Sequence, residues 1–439
     1  MPVLNLSQFG VAFGDNVILR SVDLSVPERG VFALLGPGGT GKSTLLRTIC
    51  GINQAVSNLR TWGEVTYRGD PLGEAEYPVL VSQNMRLITS TVQENILNEL
   101  PEKHELSKAQ KQDLAIRLLK QSGLDELADC LDQRVVQLPI PVQRQLAIAR
   151  EAAAGPGLLC VDEPTAELST SEAERILDYL YKLGESSALL VVLHNQQEAK
   201  ALADKTALLA GGWIQECNET EKFFIEPESK VTRNFILNGT CSVPSPDAKP
   251  EEIDAEADIP TPPPMPEAAR EFVSDSFGPR GFLWLKQGLL AGTPWPGIVA
   301  DEDHDLRALQ RVGIKVLVSL TEEQFEPRKL KEYGIDALWL EIDDMKAPEY
   351  EEAYEMCQQV RKRMAEGKPV AYHCKAGLGR TGTLLAAQLI MEGKSALEAL
   401  ESVRKIEPRW VQSDEQVKFI EGFADYVNNG MKKTVSNEL

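Results

Sequence analysis

Between about Cys241 and Ala269 the chain changes character so sharply that no single core can be built across it. Pro244, Pro246, Pro250, Pro260, Pro262, Pro263, Pro264 and Pro266 alternate with Asp247, Glu251, Glu252, Asp254, Glu256 and Asp258, and large apolar side chains nearly vanish. Proline removes backbone donors, like charges repel, and there is too little apolar surface to offset the entropy of ordering. The stretch reads as an extended, self-repelling tether. It divides the 439 residues into a first domain over 1–240, a linker over 241–275 and a second domain over 276–430. A chain of this length exceeds what one ordinary core serves, so the division is expected.

On each side of the tether the same device recurs: a short apolar run of strand type, a glycine-rich loop, then a helical run. In the second domain Val370-Ala371-Tyr372 leads into His373-Cys374-Lys375-Ala376-Gly377-Leu378-Gly379-Arg380-Thr381-Gly382-Thr383, and Leu384 to Met391 reads as an apolar helix. A loop at a helix N-terminus offers orphan N–H donors and partial positive charge, which favour a bound phosphate and a nearby thiolate. Cys374 is then a nucleophile. Gly377 and Gly379 let the backbone curl, so that the amides of Lys375, Ala376, Gly377, Leu378 and Gly379 face one anion. Arg380 adds a planar guanidinium for two phosphate oxygens, and Thr381 can donate to the sulfur as it leaves.

In the first domain Val31-Phe32-Ala33-Leu34-Leu35 precedes Gly36-Pro37-Gly38-Gly39-Thr40-Gly41-Lys42-Ser43-Thr44 and a helical Leu45 to Cys50. This is the nucleotide-binding P-loop in its strand–loop–helix setting, with Lys42 for the β and γ oxygens and Ser43 for Mg²⁺. A second apolar run, Leu158 to Val161, ends in Asp162 and Glu163. These supply a carboxylate for the metal and one that can polarise a water. The alternation of strand-like and helical runs makes both domains α/β.

The order His-Cys, five residues, Arg-Thr resembles the protein tyrosine and dual-specificity phosphatase superfamily, closest in wording to Cdc14-like and small atypical dual-specificity enzymes. The resemblance runs from about Gly281 to Phe423. Rhodanese-like sulfurtransferases share the bare Cys-to-Arg spacing, but the superfamily adds a general acid on an upstream loop, and Ile342-Asp343-Asp344-Met345-Lys346-Ala347-Pro348 fits that place. The resemblance implies Asp344 as the acid, with Asp343 an equal candidate chemically. It also implies that Gln416, in Ser413-Asp414-Glu415-Gln416, positions the attacking water.

The first domain resembles the ABC-type ATPases. Gln83 matches the family's Q-loop, His194 its switch histidine and Phe13 the aromatic that stacks on adenine, while Gly211 to Gly239 looks like the end of phosphate-importer subunits. The resemblance implies ATP with Mg²⁺ held through Ser43, Gln83 and Asp162, a homodimer or heterodimer, and a membrane permease as a possible partner. One motif is broken. Where the family has its LSGGQ signature loop, this chain has Leu138-Pro139-Ile140-Pro141-Val142, with two residues lacking N–H groups and no hydroxyl. Ser169 stands where the family usually has an aspartate. Two readings remain: the domain binds ATP as a sensor or dimerisation clamp, or a different subunit completes its site.

The formal net charge of −20 excludes a general nucleic-acid binder. Seven scattered cysteines indicate neither a disulfide framework nor zinc, and a thiolate nucleophile needs a reducing compartment. The start, Met1-Pro2-Val3-Leu4-Asn5, has no basic leader pattern, and no apolar run approaches a membrane span. A cytoplasmic protein is expected, peripheral to the inner membrane through a partner if at all. The expected activity is hydrolysis of phosphate monoesters, chiefly phosphotyrosine, phosphoserine or phosphothreonine in proteins, governed by an ATP-binding domain. The alternative is the ATP-binding subunit of a phosphate-type transporter carrying a regulatory phosphatase.

Overall fold

A strand whose residues are apolar on both sides has to be covered on both sides. In the computed structural model, which describes residues 2–82, 91–248, 262–264, 266 and 278–436, the chain falls into two units, Met1–Gly51 with Leu59–Phe272 and Ile52–Asn58 with Val273–Leu439. The first holds a ten-stranded sheet. Its strands are β1 (Pro2–Phe13), β2 (Asn16–Pro27), β3 (Gly30–Leu35), β4 (Leu59–Tyr67), β5 (Asp70–Pro71), β6 (Val79–Val81), β7 (Leu159–Asp162), β8 (Ala188–Val192), β9 (Lys205–Ala210) and β10 (Trp213–Glu219). They lie in the order β5-β4-β1-β2-β10-β9-β3-β8-β7-β6. The apolar runs β3 and β8, and β7, which is apolar up to Asp162, lie parallel with β8 in the middle and are buried almost throughout. Parallel pairing brings their C-terminal ends to one edge, so Leu35, Asp162 and Val192 finish side by side.

Two of the positions that depart from the ABC pattern lie at helix starts. The helix Ile140–Ala153 begins inside the degenerate signature stretch, with Pro139 at its cap and Pro141 in its first turn. Proline is pre-organised for that place because its missing N–H is one the helix leaves unpaired anyway. Ile140 is left 62 % exposed. Ser169 starts the helix Thr170–Gly184, its N–H and hydroxyl both donating to the Glu172 carboxylate, a capping box.

The described parts of the proline-rich stretch are not a free tether. Arg20, 2 % exposed on β2, donates to the carbonyls of Pro246 (3.2 Å), Ala248 (2.9 Å) and Pro263 (2.5 Å). A buried guanidinium must have acceptors. A proline-rich backbone in neither helix nor sheet has unengaged carbonyls to give.

The second unit is a five-stranded sheet in the order β11-β12-β15-β13-β14, with β11 Leu283–Lys286, β12 Leu290–Thr293, β13 Val316–Ser319, β14 Asp336–Trp339 and β15 Val370–His373. All neighbours but β11 and β12 are parallel. Register aligns Thr293, His373, Ser319 and Trp339 across the C-terminal edge. Phe282, Leu306, Leu309, Ile314, Leu317, Phe325 and Leu330 pack on one core.

Leaving β15, the helix Gly379–Met391 is buried along its entire length. A helix with no solvent face must be surrounded, and here Gly292 and Gly382 make the fit. A Cβ on Gly292 would lie 2.8 Å from Thr381 Cγ2, and one on Gly382 would lie 2.6 Å from Trp410 Cβ and 2.7 Å from the Val411 nitrogen. Gly382→Ala is therefore expected to overpack this contact and to destabilise the unit by about 1–3 kcal/mol. Denaturant unfolding followed by tryptophan fluorescence reads it; an unchanged midpoint would mean that the neighbouring backbone yields.

Candidate active sites

The loop between β15 and its helix is held from outside. Trp295 N–H donates to the Lys375 carbonyl at 3.1 Å and Trp410 Nε1 to the Gly377 carbonyl at 3.0 Å. Those two bonds fix the peptide planes of the loop. Gly377 takes φ of 70° and sits where a Cβ would be 2.6 Å from the backbone of Thr293 and Pro294, so both its backbone angle and its space require glycine. Cys374, 3 % exposed, receives the Thr381 hydroxyl at 3.2 Å from its sulfur.

Arg380 lies in the first turn of the helix, 2 % exposed. Its Nη1 donates to the Ile342 carbonyl at 2.8 Å and to Glu322 Oε2 at 3.1 Å, and its Nη2 lies 3.1 Å from Asp344 Oδ1. The structure therefore brings Cys374, Arg380, Thr381 and Asp344 together. Lys375, Ala376, Gly377, Leu378 and Gly379 form the loop between them. Asp343 is exposed on the same loop, and its carbonyl accepts the Lys346 N–H at 3.1 Å.

Gln416 is fully buried and braces the acid loop. Its Oε1 accepts the N–H groups of Gln412 (2.9 Å) and Ser413 (3.3 Å), and its Nε2 donates to the Lys346 carbonyl at 3.2 Å. Ser413 Oγ donates to the Met345 carbonyl at 2.7 Å.

His373 does not share in the site's positive charge. Burial, with the Arg380 charge adding to it, pushes its pKa down to about 3. The ring is neutral, 2.8 Å from the Ser319 hydroxyl at Nε2, and packed edge-on against Trp295. Positive charge at the loop comes from Arg380, Lys375 and the helix N-terminus.

In the first unit Gly36, Pro37, Gly38, Gly39, Thr40 and Gly41 connect β3 to the helix Lys42–Ile49, whose first turn carries Ser43 and Thr44. Lys42, 4 % exposed, turns its ammonium back onto the Gly36 and Pro37 carbonyls at 2.9 Å each. Burial lowers its pKa, and Glu163 and Asp162 oppose that. Asp162 is pushed up by burial, against a hydrogen bond from Ser43 and with Glu163 adding. Its Oδ1 is buried with no hydrogen-bond partner among the described residues.

An unpaired buried carboxylate oxygen next to a serine hydroxyl and a glycine loop fits a cation carried in with a polyphosphate. Glu163 holds a left-handed φ of 50°, its N–H on the Val192 carbonyl and its Oε1 2.5 Å from His194 Nε2. Phe13 closes β1 opposite Asn16 and Leu59, half-buried. Gln83 lies outside the described residues.

Two family models match the chain: one described as "ABC transporter" over residues 19–166 and one described as "Polymorphic toxin system, DSP-PTPase phosphatase" over residues 291–394. Phosphate import ATP-binding protein PstB 2 of Listeria monocytogenes is 30% identical over 235 residues, which covers 52% of this chain and 87% of that protein. The chain belongs to the ABC transporter ATP-binding family. The PstB 2 protein of Enterococcus faecalis is 29% identical over 242 residues, 53% of this chain and 90% of its own length. Among solved structures, cbiO1 from Clostridium perfringens, part of the ABC transporter complex cbiONQ, covers 54% of this chain and 95% of itself at 21% identity and a TM-score of 0.45.

This ABC-family chain thus joins an ATPase domain to a dual-specificity-type phosphatase domain, both α/β. The PstB 2 relatives are named ATP-binding proteins. No helix among the described residues is long and apolar enough to cross a membrane.

Sequence reasoning missed Glu322, Ser319 and Trp410. The first two lie on or just past the C-terminal end of β13, beside β15. The rule that sites gather at the C-terminal ends of parallel strands is the signal that points to them.

Because His373 has a folded pKa below its ordinary 6.5, the unfolded chain takes up the proton first as pH falls. Its contribution is complete above about pH 6.5 and lost as pH falls toward 3. His373→Asn should flatten the pH dependence of unfolding free energy between pH 7.5 and 5 by about 2 kcal/mol, measured by denaturant titration at both values. Equal slopes for the two proteins would contradict a neutral His373.

Proposed function

We propose that the second domain is a cysteine-dependent phosphatase acting on phosphate monoesters, phosphotyrosine, phosphoserine and phosphothreonine in proteins above all, and that the first domain binds ATP as its regulatory or dimerisation module. The observation that carries the first part is that consecutive residues at the end of one loop put the Thr381 hydroxyl on the Cys374 sulfur and the Arg380 guanidinium 3.1 Å from the Asp344 carboxylate. The Cys374 thiolate attacks phosphorus, an S–P bond forms and the ester P–O bond breaks. Arg380 and the amides of Lys375 to Gly379 hold the phosphoryl oxygens. Asp344 gives its proton to the departing oxygen. A water oriented by the second N–H of Gln416 Nε2 then attacks the phosphocysteine, its proton passing to Asp344. The S–P bond breaks, the Thr381 hydroxyl supports the leaving sulfur, and inorganic phosphate departs. Lys375 adds charge at the rim for anionic substrates.

ATP with Mg²⁺, when bound, supplies a polyphosphate that neutralises the buried charges of the first domain. Lys42 and the Gly36–Gly41 loop would hold it, Phe13 would stack on the base, and Ser43, Asp162 and Gln83 would hold the metal. Glu163 and His194, already paired, would hold a water. Pro139 and Pro141 at the start of the helix Ile140–Ala153 leave few amides for a second subunit's γ-phosphate, which supports slow turnover in a homodimer and hence a sensing role. The similarity to phosphate import ATP-binding proteins over most of their length favours a second reading, in which this chain serves a separate permease and the phosphatase tunes transport.

Metal-free hydrolysis of p-nitrophenyl phosphate by the full-length protein is expected and should vanish in Cys374→Ser. Asp344→Asn should lower kcat about 10²-fold or more on esters with poor leaving groups, and Asp343→Asn should not. The reverse pattern would move the acid to Asp343, and activity surviving Cys374→Ser would end the cysteine mechanism. Lys42→Ala should abolish ATP binding, read by calorimetry, together with any ATP-dependent change in phosphatase rate or oligomeric state. If both persist unchanged in the variant, the regulatory reading fails and copurification of a permease decides the second.

A further inference from the structure

A strand at the edge of a sheet leaves one row of N–H and C=O groups unpaired, and folds tend to cover such rows. In the second unit β11 is an edge strand, paired on one side with β12. Its other side is met by Ile52–Asn58, a stretch that the second unit takes from far upstream in the sequence. Ile52–Ala55 make a short 3-10 turn, Val56 bridges antiparallel to Leu283, and the Gly278 N–H donates to Ser57 Oγ at 3.3 Å. The stretch has a fixed place in this unit.

That place is beside the Cys374 loop. A cavity of about 750 Å³ is lined by residues 56–58 and by residues 375–378 of the loop that would hold the phosphoryl group. Its size is that of a cleft for a small ligand or for one or two side chains. Arg280, Glu407 and Arg409 line it as well. Glu407 is committed to Arg409, whose Nε donates to Oε1 at 2.8 Å and Nη2 to Oε2 at 2.9 Å. Arg280 and Lys375 are exposed, and neither is in an ion pair among the described residues. In a chain of net charge −20 the cavity thus keeps two uncompensated cations. Ile298 and Val299, both half-exposed, give it an apolar side.

Building on the phosphatase reading, we propose that this cavity docks the residues next to the phosphorylated one and selects an anionic group there, a carboxylate or a second phosphate. Arg280 and Lys375 supply the charge, and residues 56–58 supply a wall from outside the 276–430 stretch. An anion entering the cavity gains charge-assisted hydrogen bonds from cations that have no other acceptor to give up. The apolar stem of the same side chain covers Ile298 and Val299. Neither Arg280 nor Asn58 belongs to the Cys374 loop, so both act on the choice of substrate and not on the chemical step.

The test uses the full-length protein and phosphotyrosine peptides of one sequence, in which the neighbours of the phosphotyrosine are alanine, glutamate or phosphoserine. p-Nitrophenyl phosphate, which has no flanking residues, is the control ester. KM is read on the active protein, and Kd by fluorescence anisotropy in a Cys374→Ser background. Unfolding midpoints show that each variant folds.

The wild type should favour the anionic peptides over the alanine peptide about tenfold in KM. A larger gain from phosphoserine assigns the cavity to a second phosphate, and an equal gain assigns it to acidic flanks in general. Arg280→Glu should erase the preference. Asn58→Lys should lower KM for the anionic peptides about threefold and Asn58→Glu should raise it by as much, with p-nitrophenyl phosphate changed by less than about twofold in every variant. Equal KM for all the peptides, or Asn58 variants without effects of opposite sign, overturns the proposal. A protein that hydrolyses no ester yet, as Cys374→Ser, binds the anionic peptides through Arg280 supports the docking cavity and counts against the phosphatase reading alone.

Discussion

A cation removed from water must be surrounded by acceptors, and three buried cations organise this chain. Arg380 is met by two carboxylates and a carbonyl. Lys42 is met by two loop carbonyls and faces Asp162 and Glu163. Arg20 is met by carbonyls of the proline-rich stretch. In each case the charge is retained because the neighbouring backbone gives up its oxygens, and the path of that backbone is in turn dictated by the charge. The loops at both candidate sites are shaped by this exchange as much as by their glycines.

The sites come from the same topology used twice. Parallel strands end on a common edge, a helix starts there, and the donors that a helix cannot pair internally are directed to whatever anion arrives. What differs is the group placed beside the cradle. At the end of β7 it is a carboxylate with an unpaired oxygen, which suits a metal-bound polyphosphate. At the end of β15 it is a thiol with a threonine hydroxyl on its sulfur, which suits covalent transfer.

Much of this was legible in the residues themselves. The two strand–loop–helix runs announced themselves by composition and spacing, and the structure places Cys374, Arg380 and Asp344 together and Lys42 beside Asp162 and Glu163. Glu322 was not legible, because a single glutamate after a strand looks like any solvated residue until the fold brings Ile342 and Arg380 beside it. The role of Ser169 as a helix cap was hidden by comparison with a family that has another residue there. The signature stretch was read as loop, yet proline's tolerance for the first turn lets the helix begin at Ile140. In the proline-rich segment, whose composition favours solvent, the carbonyls of Pro246, Ala248 and Pro263 meet an Arg20 that lies more than two hundred residues away in sequence.

The helix Gly379–Met391 has no face toward water, and it begins with Gly379 and Arg380, the last residues of the Cys374 loop. The Cys374 loop is therefore not an attachment to a finished scaffold but one end of the element around which the second unit is built. Any change of side chain at the inner end of that loop is therefore also a change to the packing of the second unit.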